Sequence, residues 1–151
     1  GIDKSALDRT LYHGLIGEVS SEALIADSAI SMLKVIPSRV ELIGFEVEMM
    51  DAAGREGRLG KLLAEVANRF EYIILDCPPS LSLLTVNAMA AADDMIIPLQ
   101  CEFYALEGLS QLVQTFQRIK SGLNPGLTIA GILLADVLYA WADPRVRFGK
   151  K

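Results

Sequence analysis

Residues 71–79 read Glu71, Tyr72, Ile73, Ile74, Leu75, Asp76, Cys77, Pro78, Pro79, and the reading of this stretch decides the fold. Apolar and aromatic side chains run without alternation from Tyr72 to Leu75, the pattern of a strand buried on both faces of a parallel sheet. The two prolines end it, because neither can donate to a ladder and Pro79 also restricts the backbone of Pro78. Asp76 is therefore expected at the carboxyl end of a central strand, which is where open α/β sheets place their ligands.

Upstream of that strand, Ser5 can cap a helix that runs to about Ile16, with Leu7, Leu11, Leu15 and Ile16 on one face. A short helical stretch follows near residues 21–25, and residues 33–37 read as a short strand stopped by Pro37. Periodicity alone does not decide between helix and strand for residues 42–50. Residues 51–60 form a glycine-rich surface approach, in which Arg55 and Arg58 read as solvated charges, with a partner contact as the alternative. Leu62, Leu63 and Val66 then mark a helix packed on the sheet.

Downstream, Ser80 or Ser82 can cap a helix to about Ala92, and residues 95–99 give the next buried strand. A long helix with Leu106, Leu109, Leu112, Val113 and Phe116 at helical spacing leads to a turn at Asn124, Pro125 and Gly126. Residues 127–134 form a third apolar strand. This order implies an α/β fold, a mostly parallel sheet with helices on both faces. Gln100, Cys101 and Glu102 then share the sheet edge with Asp76. Residues 1–134 read as one α/β domain and residues 135–151 as a divergent loop or frayed tail with a basic end.

Composition narrows the function classes. The 151 residues are 52% hydrophobic and 22% charged, the balance of a packed globule. A net charge of −5 gives no basic footprint for sequence-specific DNA binding. No apolar run is long enough to span a bilayer and nothing near Gly1 resembles a signal peptide, so no membrane association is expected and the cytoplasm is the expected compartment. Two cysteines, Cys77 and Cys101, are too few for a disulfide framework and read as small buried residues in a reducing compartment. The opening Gly1-Ile2-Asp3, without methionine, reads as the tail of a loop and suggests a fragment.

An apolar strand ending in one carboxylate has a defined use in nucleotide enzymes: it faces Mg²⁺ through a coordinated water while a glycine-rich loop holds the phosphates. The competing reading is an aspartate that caps the turn. Residues 76–112, DCPPSLSLLTVNAMAAADDMIIPLQCEFYALEGLSQL, tip the balance. They closely resemble the ParA/Soj family of chromosome and plasmid partitioning ATPases, matching its Walker B strand with DCPP, its Ser-Leu and Leu-Thr-x-Asn-Ala helix, and its P-x-Q-C-E-x-x-A-L-E-G segment.

The resemblance implies a P-loop NTPase-like fold, ATP and Mg²⁺ as ligands, dimerisation around nucleotide, non-specific DNA binding and stimulation by a ParB-like centromere-binding partner on the nucleoid. It makes Asp76 the Walker B acid that holds Mg²⁺ through water. Cys77, Pro78 and Pro79 fall in the turn that senses the γ-phosphate, and Gln100 and Glu102 become nucleotide-edge or dimer-interface candidates. The family's Lys-Gly-Gly-x-Gly-Lys-Thr/Ser loop does not occur in these 151 residues, and residues 135–151 diverge from the family. The expectation is a truncated ATPase domain without independent hydrolysis. A non-catalytic module that heterodimerises with a full-length relative is one alternative. Another is a MinD-like ATPase, disfavoured because no amphipathic C-terminal membrane helix is present.

Overall fold

The computed structural model describes residues 2, 3, 7–78, 80–99 and 103–134. Two compact units divide the chain, residues 1–91 and residues 92–151.

The first unit is built on short helices. Helix α1 (Leu11–Ile16) starts at Thr10, whose backbone is extended and whose N–H donates to His13 Nδ1 at 3.1 Å. Of the helix expected from Ser5 to about Ile16, Leu11–Ile16 is helical and Ser5 lies outside the described residues. The cap of α1 includes a distant contact, the Thr10 hydroxyl donating to Glu41 Oε1 at 3.2 Å. Gly17 ends the helix at φ 90°, the left-handed conformation that a Cβ would oppose, and the Glu18 N–H reaches back to the His13 carbonyl at 2.9 Å. Gly14 is needed for a different reason: a Cβ there would sit 2.6 Å from Leu24 and 2.8 Å from Leu62.

A 3₁₀ turn at Ser21–Leu24 leads to a small antiparallel hairpin of β1 (Ala26–Asp27) and β2 (Lys34–Val35). Pro37 follows, as expected, and its carbonyl accepts the Leu11 N–H at 2.9 Å. The undecided stretch is helical: a 3₁₀ turn at Val40–Ile43 runs into α2 (Gly44–Glu48). Helices α3 (Arg58–Ala64) and α4 (Leu83–Ala91) complete the unit. Their inward faces meet in one core of Leu15, Leu24, Phe45, Leu59, Leu62 and Ala88.

One expectation is corrected. The sequence predicts a strand buried on both faces at residues 72–75, yet they have no ladder partner among the described residues. Tyr72 is 79% and Ile74 89% exposed, while Leu75 packs against the core. An apolar run encodes a demand for burial, but a strand needs a neighbour's N–H and C=O groups to enter a sheet. No described segment supplies them here.

The second unit carries the parallel pair. Strand β3 (Asp94–Leu99) pairs in parallel with β4 (Thr128–Leu134), joined through the long helix α5 (Phe103–Gly122). This is the strand, helix, strand order that the spacing predicts. Asn124 fixes the turn after the helix, its Nδ2 donating to the Ala92 carbonyl at 2.7 Å, and Lys120 Nζ donates to the Leu127 carbonyl at 2.8 Å. Among the described residues, Ile97, Ile119 and Leu127 are its buried side chains. Among the described residues no helix is long and apolar enough to cross a membrane.

Candidate functional site

The site begins beyond α3, on the segment that follows Phe70. A 3₁₀ turn at Ala67–Arg69 closes the helical stretch, and Phe70 is extended. Arg69 pins this point by pairing with Glu22 and by lying over the Phe70 ring at 5.9 Å. From here the chain runs outward until Leu75 packs against the core. That anchor presents the next residue, Asp76, to solvent.

Among the described residues the Asp76 carboxylate has no ion-pair partner and accepts no hydrogen bond. The capping alternative therefore finds no support among those residues. Mg²⁺ held through water, with its remaining positions taken by phosphates and further waters, asks this segment for one free, outward carboxylate, and Asp76 fits that demand. Among the described residues no group of three or more His, Cys, Asp or Glu gathers to hold an ion with protein ligands alone.

Cys77 corrects a second expectation, since it is exposed and not a small buried residue. Its thiol donates to the Leu75 carbonyl at 3.6 Å. Desolvation by its surroundings, and then the adjacent Asp76 carboxylate, push the thiol above its ordinary pKa. The thiolate is the reactive form, so Cys77 should alkylate slowly near neutral pH despite its exposure. Iodoacetamide labelling followed by mass spectrometry should give a rate midpoint above that of an unperturbed thiol. Asp76→Asn should lower that midpoint; labelling already complete at neutral pH would contradict this.

Pro78 follows and is also exposed. Pro79, Gln100, Cys101 and Glu102 lie outside the described residues, as does the tail, residues 135–151. The structure therefore places Asp76, Cys77 and Pro78 on one outward segment.

Beyond it, α4 is tied back to the turn by Thr85, whose hydroxyl donates to the Ser80 carbonyl at 2.5 Å. Asn87 is the polar residue that composition and spacing did not single out. It is 1% exposed, its Nδ2 donates to the carbonyls of Arg55 at 2.9 Å and Leu83 at 3.0 Å, and its Oδ1 accepts the Leu59 N–H at 3.1 Å. It thus locks the start of α3 to α4. The available signal was an amide one turn after Leu83, among apolar residues of the same helix.

Of the two arginines considered for a partner, Arg55 pairs with Glu56 at 3.1 Å. Arg58 lines an open cleft of about 330 Å³ with Lys61, Glu18 and Glu65. Neither Asp76 nor Cys77 lines that cleft.

A family model described as an AAA domain matches residues 1–129. The chromosome partitioning protein ParA of Myxococcus xanthus is 48% identical over 134 residues, covering 89% of this chain and 47% of that protein. The sporulation initiation inhibitor protein Soj of Bacillus subtilis is 43% identical over 134 residues, covering 89% of this chain and 53% of that protein. Among solved structures, a cobyrinic acid a,c-diamide synthase from Mycobacterium smegmatis with bound ADP and magnesium matches with a TM-score of 0.84 at 34% identity. That match covers 95% of this chain and 62% of the synthase. The chain spans about half the length of the curated relatives it matches.

Proposed function

Because the chain belongs to the ParA/Soj family of AAA-domain proteins, we propose that it is the Walker B portion of a DNA-partitioning ATPase and does not hydrolyse ATP by itself. The observation that carries this reading is the Asp76 carboxylate, free of described internal partners and held outward by the Leu75 anchor. Asp76 holds Mg²⁺ through a water, and the ion when bound neutralises charge on the nucleotide phosphates. Cys77, Pro78 and Pro79 flank the γ-phosphate through their backbone. Gln100 and Glu102 stand at the nucleotide edge or the dimer interface.

Phosphate binding by a glycine-rich loop and its lysine is a separate requirement, and these 151 residues contain no such loop. Without amides and a lysine on the β- and γ-phosphates, one carboxylate cannot position a nucleotide. In a chain of the family's full length, the partners are a second nucleotide-bound copy, non-specific DNA and a ParB-like centromere-binding protein. A second reading, a module that joins a full-length relative, is favoured by one observation: residues 72–75 are apolar and without a ladder partner among the described residues.

The test is ATP turnover by the chain alone and by the chain joined to the part of the M. xanthus ParA that the match does not cover. The chain alone should be inactive. The joined protein should turn over, and Asp76→Asn should slow it by about 10–100-fold, the usual cost of losing an outer-sphere metal partner. Turnover by the chain alone, or a joined protein indifferent to Asp76→Asn, would overturn the proposal.

A further inference from the structure

Leu75 and Ser80 bracket the turn that carries Asp76, and each is fixed in a different way. Leu75 packs against the core of the first unit. Ser80 is exposed, but its carbonyl accepts the Thr85 hydroxyl at 2.5 Å. Thr85 itself is only 6% exposed and lies in the first turn of α4. No other hydrogen bond among the described residues joins residues 76–81 to a helix.

Helix α4 is a firm base for that bond. At its start the Leu84 N–H donates to Glu46 Oε1 of α2 at 3.4 Å, which sets a carboxylate at the end of the helix that favours negative charge. Further along, Asn87 ties the same helix to the Arg55 carbonyl and the Leu59 N–H, and Ala88 belongs to the core. A segment held at Leu75 alone could swing about that point. Held at Ser80 as well, it follows a short path between two fixed ends. Pro78 and Pro79 stiffen the chain between them, because a proline ring fixes φ.

We propose, resting on the ATPase reading, that Thr85 is a positioning residue for the nucleotide site: its buried hydroxyl clamps the turn to α4 and so sets where Asp76 and Cys77 stand against the metal and the γ-phosphate. Thr85 acts through the Ser80 carbonyl and touches no substrate itself. Removing the hydroxyl should cost little stability. Valine fills nearly the same space without leaving a polar atom buried, and the carbonyl of the exposed Ser80 can bond water instead.

The experiment compares Thr85→Val, which removes the hydroxyl, with Thr85→Ser, which keeps it. In the 151-residue chain, NMR order parameters of the Ser80 and Leu81 amides should fall from about 0.85 to below about 0.6 in Thr85→Val and stay in the rigid range in Thr85→Ser. Both variants should keep a thermal midpoint within about 4 °C of the parent. In the chain joined to the uncovered part of the M. xanthus ParA, Thr85→Val should lower kcat for ATP at least about 10-fold with KM nearly unchanged, the mark of an interaction used in the transition state and not in binding. Thr85→Ser should keep most of that kcat. Unchanged order parameters in Thr85→Val would overturn the clamp. Equal losses of kcat in the two variants, a kcat indifferent to both, or a loss matched by collapse of the thermal midpoint would overturn the positioning role. A parent joined protein without turnover would overturn the ATPase reading, and the order parameters of the chain alone would still decide whether Thr85 holds the turn.

Discussion

Replacing Phe45 with alanine should cost about 3–5 kcal/mol of stability, the usual cost of removing a fully buried aromatic side chain. Phe45 is 0% exposed and sits in the core with Leu15, Leu24, Leu59, Leu62 and Ala88. Those neighbours come from α1, α3, α4 and the turn at Ser21–Leu24, so one truncation removes contacts from most helices of the first unit. Domains of this size have about 5–15 kcal/mol in total, and the loss is therefore a large part of the margin. Urea unfolding should show Phe45→Leu retaining most of the stability, within about 1.5 kcal/mol. Val47→Ala, two residues away at an exposed position, should change it by less than about 0.5 kcal/mol. Equal effects of Phe45→Ala and Val47→Ala would contradict the assignment of faces.

Asn87→Leu is the second large effect. The substitution keeps approximate size but removes the partners of the Leu59 N–H and the Arg55 carbonyl. Each buried group left without a partner costs about 1–3 kcal/mol, and here two are orphaned by one change. Asn87→Asp should be at least as damaging, because it removes the donor and buries a charge in the same place. Hydrogen exchange gives the local readout: the Leu59 amide should exchange faster as the start of α3 loosens from α4. A neutral Asn87→Leu variant with an unchanged Leu59 amide would sink this account of the network.

The elements that were legible in the sequence are those bounded by local chemistry. The apolar runs at residues 95–99 and 127–134, with an amphipathic helix between them, became β3, β4 and α5 in parallel register. Pro37 marked the end of the hairpin, and the α/β class follows from that order together with the structural relative. Asp76 is expected at the carboxyl end of a central strand, and the structure shows it exposed after a run with no ladder partner among the described residues.

What was not legible depends on residues far along the chain. Thr10 starts α1 and contacts Glu41, 31 positions away, which no local propensity records. Residues 42–50 defeated periodicity because Leu42, Phe45 and Met49 form one apolar stripe and Ile43, Val47 and Met50 belong to another. With both faces apolar, the helical signal cancels. Residues 72–75 carried the composition of a central strand, but a ladder requires a neighbour, and composition does not name one. Asn87 enters the sequence reading only through the Leu-Thr-x-Asn-Ala resemblance, and its packing role rests on three partners that the local sequence does not name.

The central proposal is that Asp76 serves a nucleotide site that also requires a phosphate-binding loop, which these 151 residues do not contain. Its most direct measurement is the affinity of ATP with and without Mg²⁺ for the chain joined to the uncovered part of the M. xanthus ParA, before and after Asp76→Ala. The account predicts at least about 10-fold tighter binding with Mg²⁺, a ratio that falls to about one in Asp76→Ala, and no saturable binding by the 151-residue chain alone. A Mg²⁺ dependence that survives Asp76→Ala, or saturable Mg²⁺-dependent ATP binding by the chain alone, would contradict it.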